Sequence, residues 1–303
     1  MTLTHAAEHR DRQVPKSSPG TGTRVRALPW ARYSLLAIVV VYLVWSLAPV
    51  AIAFVFSFNA GDSRSVWQGF STEWWSGPQS VFNNPIYYGA VKQSFILAGL
   101  AVAITVPIGV SLSVFLGRWR GITARPVSFL SALPLVIPEL VLALAMFFLV
   151  TKLLHFVALG TPGQVVGQVT FILPLVIVTT RGRLASIPPE FEEAAMDLGA
   201  TTFGAFRLVL IPLLQPAILA SAIVAFAVSI DDFVITQYMS SGASTQTVPM
   251  LIYNTGRGSA PPALNAAATL MAMTTIVISA VGYLLYRAVS RREQIVEAPA
   301  AGS

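Results

Sequence analysis

The sequence predicts an all-α integral membrane protein with six transmembrane helices. Hydrophobic residues make up 55% of the 303 residues and charged residues only 11%, whereas soluble domains are about a quarter charged. The mean hydropathy is +0.70. The apolar residues also gather into six runs that approach or exceed the length needed to cross a bilayer. We therefore expect the chain to fold inside a membrane.

The six apolar runs divide the chain into a central domain and two polar tails. Residues 33–288 form the predicted six-span domain. Residues 1–32 form a basic segment that is too rich in Pro, Ser, Gly and Thr to bury a core, so we expect a disordered tail. Residues 289–303 form a second, short polar tail. The predicted spans lie at about 33–56, 90–116, 127–150, 164–180, 216–238 and 264–286.

The distribution of Lys and Arg predicts the orientation of these spans. About fifteen basic residues fall in the tails and in the loops on their side, against about four on the other side, so the positive-inside rule puts both termini in the cytoplasm. This arrangement also accounts for the net charge of +6. A basic protein can bind nucleic acid, but charges confined to tails and short loops of a membrane protein argue against that function.

The first loop outside the membrane, residues 57–88, is rich in aromatic residues. Trp and Tyr prefer the membrane interface, so we expect this loop to lie along the outer surface. Aromatic rings can instead form a cage for a cationic ligand. The aromatic residues are Trp67, Phe70, Trp74, Trp75, Tyr87 and Tyr88.

A polar stretch of about twenty residues, 192–212, interrupts the apolar runs between the fourth and fifth spans. Pro188 and Pro189, followed by three glutamates, predict the start of a short helix near Pro189. Gly199 suits a turn at the end of that helix, and a second short segment is expected from about Thr202 to Pro212. From physics alone this stretch fits an ordinary amphipathic connector between two spans better than a docking site for another protein.

This stretch resembles the EAA loop of the membrane subunits of ATP-binding-cassette importers. The family pattern is E-A-A, three residues, G, nine residues, I-x-L-P. Here Glu193, Ala194, Ala195, Gly199 and Pro212 fall on the pattern, with Val209 and Ile211 at its two other apolar positions. The resemblance implies the type I importer permease fold, and a coupling loop at about 188–213 that docks in a groove of a separate ATPase.

Three acidic residues lie inside predicted spans, where charge is costly and is usually functional. They are Glu139, Asp231 and Asp232. In one interpretation they line the substrate path, where they attract a cation or hold a gate. In the other they cap broken helices: Glu139 after Pro138, and the two aspartates at a bend in the fifth span. Because adjacent residues on a helix point about 100° apart, both aspartates cannot face one cavity unless the backbone is irregular.

The chain carries no motif for nucleotide hydrolysis of its own. A P-loop needs Gly-Lys-Ser/Thr, but the lysines, Lys16, Lys92 and Lys152, follow Pro, Val and Thr. We therefore expect no cofactor or metal in this chain, and ATP with Mg on a partner. The histidines lie in tails or loops, so no catalytic nucleophile with its base is visible in the spans and an intramembrane enzyme is disfavoured.

A closer resemblance covers roughly residues 35–290 and concerns the second permease subunits of spermidine/putrescine importers. It is carried by six segments, with the sequences FSTEWW, PLVIPE, FAVSIDDFVI, TVP, LIY and NA. The resemblance implies a polyamine substrate, which is an oligocation suited to the intramembrane acids. Iron, thiamine and phosphonate carriers belong to the same subfamily and remain alternatives.

The resemblance also implies the assembly in which the chain works. The expected partners are an ATPase dimer, a second homologous permease, an extracytoplasmic substrate-binding protein and membrane lipid. An ion-coupled secondary transporter is the rival from another class, since it also carries intramembrane acids, but it needs no EAA loop.

Overall fold

The structure is a computed structural model that describes residues 29–63, 66–118, 124–256 and 261–297. Most of the predicted tail at 1–32, and the end of the C-terminal tail, lie outside these residues. Within the described residues the chain is almost entirely helical. The helices are α1 (Pro29–Phe56), α2 (Glu73–Ser76), α3 (Pro85–Arg118), α4 (Ala124–Val136), α5 (Glu139–Lys152), α6 (Thr161–Leu184), α7 (Glu190–Asp197), α8 (Thr202–Ala205), α9 (Ile211–Asp231), α10 (Val234–Met239), α11 (Val248–Gly256) and α12 (Ala263–Glu297).

Among the described residues, five helical segments are long and apolar enough to cross a membrane, and a sixth candidate is a bent pair of helices. This agrees with the predicted all-α, six-span architecture. The continuous segments are Tyr33–Phe56, Pro85–Arg118, Thr161–Leu184, Thr202–Asp231 and Ala263–Ala288.

The third predicted span, 127–150, is broken at the position that the sequence offered as a helix break, directly after Pro138. It consists of α4 and α5, which meet at an angle of 111°. The cause is Pro138, which has an extended ψ of 133° and cannot donate a backbone hydrogen bond, and which also disfavours helical geometry at Ile137 before it. The chain therefore turns sharply and restarts as a helix at Glu139.

The fifth predicted span begins earlier than expected, because Pro212 does not end a helix. A π-helical turn at Phe206–Leu210 links α8 directly to α9, and the N–H of Ile211 donates to the carbonyl of Phe206. The wider π-helical turn puts Pro212 in the first turn of α9. A proline, which has no backbone N–H to donate, is tolerated at that position of a helix. The fifth candidate span thus runs from Thr202.

The region after the fifth span is more ordered than the loop expected at 239–263. It contains α11 and a short 3-10 turn at Ala243–Thr245. The N–H of Val248, at the start of α11, donates to the hydroxyl of Ser94 on α3 at 3.0 Å. This region is therefore anchored on the helix bundle.

The chain forms two compact units, Met1–Ala48 and Pro49–Ser303. Within its described residues, the first unit is the greater part of α1. The most apolar window of this helix contains no buried residue. A helix that is apolar on all sides suits a lipid environment.

The centre of the second unit is the packing of α3, α6 and α9. Ala101 and Val110 of α3, Ile172 and Val176 of α6, and Ala225 of α9 share one buried cluster. Small residues allow these helices to approach closely, as is common in membrane bundles. A side chain at Gly109, for example, would place its Cβ 2.5 Å from Val176.

Candidate coupling loop and intramembrane acids

The candidate coupling loop begins with α7, whose first turn is acidic. Glu190, Glu192 and Glu193 lie in that turn, directly after Pro189. Carboxylates near a helix N-terminus interact favourably with its dipole, and Pro is well suited to the helix start. The predicted helix start near Pro189 is confirmed.

The end of α7 is fixed by Gly199, which has a φ of +91°. The N–H of Gly199 donates to the carbonyl of Met196 at 2.9 Å, and the N–H of Ala200 donates to the carbonyl of Ala195 at 3.0 Å. These two bonds form a Schellman motif, which requires a left-handed residue and strongly favours Gly. The predicted turn is confirmed. The carbonyl of Ala195, one of the two alanines of the EAA pattern, accepts one of the capping hydrogen bonds.

The second short helix, α8, begins where the sequence predicted. Thr201 caps it, because its hydroxyl accepts a hydrogen bond from the N–H of Gly204 at 3.0 Å. The helix bends immediately into the π-helical turn and then into α9. The loop is therefore joined to the fifth span without a flexible linker.

The loop presents both charged and apolar side chains on its surface. Glu193 and Ala194 are exposed, and Leu198 is 90% exposed. Phe203 and Leu208 are also largely exposed. Large apolar side chains gathered on the surface of a polar loop mark an interaction site more often than a solvated face.

Arg118, at the end of α3, holds the base of this loop, which sequence reasoning missed. Its Nε and Nη2 both lie 2.8 Å from Oε1 of Glu192, and Nη2 donates to the carbonyl of Ile187 at 2.9 Å. The basic residue was visible at the end of the second span. The pairing of Arg118 with Glu192 could not be predicted from the sequence, because the two residues are 74 positions apart.

The intramembrane acids separate into different environments. Asp232 is buried, with 7% of its surface exposed, and lies at the break between α9 and α10. Its Oδ1 accepts from the N–H of Ile235 at 3.3 Å and its Oδ2 accepts from the N–H of Thr236 at 3.0 Å. Asp232 therefore caps α10, the structural role that the sequence left open for one of the two aspartates.

Asp231, by contrast, is exposed. It is the last residue of α9, so its side chain leaves the helix in a different direction from that of Asp232. Glu139 is half-buried in the first turn of α5, next to the carboxyl group of Asp232. The structure thus brings Glu139 and Asp232 together at the breaks in two spans.

A chain of buried amides supports these acids, and sequence reasoning did not identify it. Gln168 donates to the carbonyl of Ser229 at 3.1 Å and to Asp232 at 3.3 Å, and accepts from the Ser229 hydroxyl at 2.6 Å. One turn away, Gln164 accepts from Gln93 at 2.9 Å. Glutamines inside apolar runs were the available signal, since a buried amide must find partners.

The two half-helices that follow the breaks pack on each other. Leu142 and Met146 of α5 and Ile235 and Met239 of α10 belong to one buried cluster. Both helices have their N-terminal ends at the carboxyl pair. The site is therefore a junction of two broken spans, held by polar contacts at one end and by apolar packing along its length.

The aromatic residues of the loop at 57–88 pack on one another and on the helix bundle, where Trp74 and Tyr87 belong to a buried cluster with residues of α3, α11 and α12. Trp74 is buried, and its Nε1 donates to the carbonyl of Asn59 at 2.7 Å. The Phe58 ring is stacked on Phe70 at 5.6 Å and on Trp75 at 5.7 Å. Trp74, Phe70 and Trp75 are thus engaged in packing within the protein, which disfavours a cation cage built from these three rings.

In the part of the chain that the structure describes, no cluster of three or more His, Asp or Glu side chains could hold a metal ion. The expectation of ATP and Mg on a partner subunit remains a prediction.

A family model and several known proteins match this chain. Residues 105–295 match the family described as "Binding-protein-dependent transport system inner membrane component". The putrescine transport system permease protein PotI of Escherichia coli is 32% identical over 255 residues, which cover 81% of this chain and 88% of the relative. The spermidine/putrescine transport system permease protein PotC of the same species is 32% identical over 242 residues, covering 79% and 88%.

A solved structure shows the same fold. It is a bacterial ABC transporter involved in the import of the acidic polysaccharide alginate, with a TM-score of 0.70 and 16% identity, covering 85% of this chain and 95% of the solved chain. The type I importer fold predicted from the EAA resemblance is therefore confirmed. The relatives are permease proteins, in agreement with the prediction of a transport subunit that is not an enzyme. This chain belongs to the binding-protein-dependent transport system inner membrane components, and is a permease subunit of the ABC importer class.

Proposed function

We propose that this chain is one of two permease subunits of an ATP-driven polyamine importer. Two relatives that match over about four fifths of the chain are named for putrescine and spermidine transport. Polyamines are oligocations, and a carboxylate inside a membrane domain attracts a cation strongly because the local dielectric is low. The exposed Asp231 and the half-buried Glu139 supply such carboxylates. Asp232 holds the helix break beside them.

The assembly that we propose contains an ATPase dimer, a second homologous permease and an extracytoplasmic binding protein that delivers the substrate. ATP and Mg are bound by the ATPase. Both termini and the coupling loop face the cytoplasm, as the Lys and Arg distribution requires. The family description refers to binding-protein-dependent transport, which supports the binding protein among these partners.

The mechanism is alternating access driven through the coupling loop. ATP closes the ATPase dimer and displaces α7, which carries Glu193, Ala194 and Ala195. The loop is joined to α6 by a short turn and to α9 through α8 and the π-helical turn, so displacement of α7 moves both spans. Because α6 and α9 pack against α3, the bundle rocks and the path opens outward to receive substrate.

The observation that carries this proposal is the structure of the coupling loop. It combines an exposed Glu193, a Gly199-dependent turn and exposed apolar side chains on a rigid connection to two spans. An ion-coupled secondary transporter has no need for such a loop. An anionic phosphonate substrate is disfavoured because the available charged groups at the broken spans are carboxylates.

The test is uptake by the reconstituted complex in proteoliposomes. With ATP enclosed and the putrescine-loaded binding protein outside, we expect accumulation of radiolabelled putrescine, competition by unlabelled spermidine and no competition by thiamine. Uptake that continues without the ATPase subunit would refute the ATP-driven mechanism. ATP-dependent uptake of thiamine or iron with no uptake of polyamines would refute the substrate.

A further inference from the structure

We infer that Arg118 and Glu192 form a clamp that couples the ATPase-driven movement of α7 to α3, and that Arg118 is a positioning residue for transport. This inference rests on the proposed function. It concerns a contact inside the chain, distinct from the exposed face of α7 that carries Glu193.

The clamp joins three parts of the chain at one guanidinium group. Nε and Nη2 of Arg118 converge on a single carboxylate oxygen of Glu192 at 2.8 Å. Nη2 also donates to the carbonyl of Ile187 at 2.9 Å, in the turn between α6 and α7. The guanidinium has several donors in a fixed plane, so it can hold a carboxylate and a carbonyl at once, which a lysine ammonium does less precisely.

The surroundings of the pair favour a stable contact. The side chain of Arg118 is 25% exposed and that of Glu192 is 20% exposed, so solvent screens the pair less than a fully exposed one. Arg118 lies in the last turn of α3, where a cation complements the helix dipole, and Glu192 lies in the first turn of α7, where an anion does. Both helix ends therefore favour the charges that the pair requires.

The packing below the pair makes the end of α3 rigid. A side chain at Gly117 would place its Cβ 2.5 Å from Leu184 of α6, so the two helix ends approach closely there. Leu184, Ile187 and Leu210 form a buried cluster, against which Val114 of α3 packs. Arg118 adds a polar link to α7 itself, which is otherwise joined to the bundle through the chain on either side of it.

The clamp matters for transport because α3 reaches the other end of the bundle. Its 34 residues extend about 50 Å at about 1.5 Å per residue. Near its N-terminal end, Gln93 donates to Gln164 at 2.9 Å and Ser94 accepts from the N–H of Val248 at 3.0 Å. A displacement passed to α3 at Arg118 is thus transmitted to the polar network at its opposite end.

Glu192 and Glu193 then have different roles in the loop. Glu193 is exposed and free to meet a partner, whereas the Glu192 carboxylate is engaged by Arg118 inside the chain. Two adjacent glutamates on one short helix, which look equivalent in the sequence, serve the outer and inner contacts of the same loop.

The test compares ATP hydrolysis with transport in the complete importer, reconstituted in proteoliposomes with putrescine-loaded binding protein. We expect Arg118→Gln and Glu192→Gln each to lower the putrescine moved per ATP hydrolysed by about fivefold or more, the lower end of the usual range for coupling between sites. A merely structural contact would change the amount of complex without changing this ratio. Glu73→Gln and Arg287→Gln, exposed charged residues outside the coupling loop, are the matched controls and should keep the wild-type ratio.

The exchanged pair, Arg118→Glu with Glu192→Arg, tests the contact even if single variants lose the ATPase during purification. Recovery of ATPase binding and of the ratio in the double variant supports the clamp. Single variants with a wild-type ratio, or an exchanged pair that recovers nothing lost by the singles, overturn it. If the wild-type complex itself moves no putrescine with ATP, the proposed function fails and the inference falls with it.

Discussion

Replacement of Gly199 by a β-branched residue tests the structural basis of the coupling loop. Its φ of +91° is a conformation that residues with a Cβ rarely adopt, and no atom beyond Gly199 and its chain neighbours lies within 4 Å of the position that a Cβ would occupy. The cost of Gly199→Val is therefore backbone strain rather than crowding, at about 1–2 kcal/mol. Since about 1.4 kcal/mol is a factor of ten in an equilibrium constant, we expect the intact turn to be roughly five to thirty times less favoured.

The assay is the affinity of the permease pair for the ATPase in detergent, together with ATP-driven uptake in proteoliposomes. Gly199→Val should weaken both, while the amount of inserted protein stays normal, because the loop lies outside the buried core. Gly199→Asn is the matched variant, since Asn tolerates the left-handed region better than other residues, and should retain most of the activity. A Val variant that binds and transports normally, or an Asn variant as impaired as the Val variant, would refute this reasoning.

Four further substitutions test the junction of the broken spans, by thermal unfolding in detergent and, for Asp231, also by uptake. Asp232→Ala should lower stability by about 1–2 kcal/mol because it removes the cap of α10, whereas Asp231→Ala should leave stability unchanged and reduce uptake; equal unfolding temperatures would contradict the capping role. Gln168→Leu should cost about 1–3 kcal/mol, since it leaves buried polar groups unpaired, and a wild-type unfolding temperature would disprove this. Gly167→Ala, whose Cβ would lie 2.5 Å from Ile235, should cost about 1–3 kcal/mol by overpacking, and unchanged stability would show that the helices adjust freely.

The features that could be predicted from the sequence depend on local chemistry. Gly199 is the residue that a left-handed helix end favours, and the expected turn is present as a Schellman motif. Pro189 and the glutamates after it marked the start of α7 in the same way. The span count followed from apolar length alone, and the EAA pattern supplied the fold.

The features that could not be predicted depend on geometry that a local pattern does not encode. Pro138 was recognised as a candidate helix break, but its 111° bend is set by the packing of the helices on either side. Pro212 was taken as a helix end because the π-helical turn that accommodates it has no sequence signature. The partners of Asp232 and Arg118 lie far away along the chain, 64 residues for Gln168 and 74 for Glu192.

The division between Asp231 and Asp232 illustrates the same limit. Helical geometry predicted that the two side chains point in different directions, and the structure agrees. Which of them is buried depends on the position of the break between α9 and α10. That position follows from tertiary packing, and the adjacent residues are chemically identical in the sequence.

A cysteine cross-link tests most directly the proposed contact between the exposed face of the coupling loop and the ATPase. The chain contains no cysteine, so a Leu198→Cys variant carries a single thiol on this subunit, at a side chain that is 90% exposed. Phe156→Cys is the matched control on the predicted outer side. Phe156 lies in the turn between α5 and α6 and is 83% exposed. We predict that a short thiol cross-linker joins the Leu198→Cys subunit to an ATPase subunit bearing cysteines along its docking groove, and does not join the Phe156→Cys subunit. A cross-link from residue 156, or none from residue 198 in an actively transporting complex, would contradict the proposed contact.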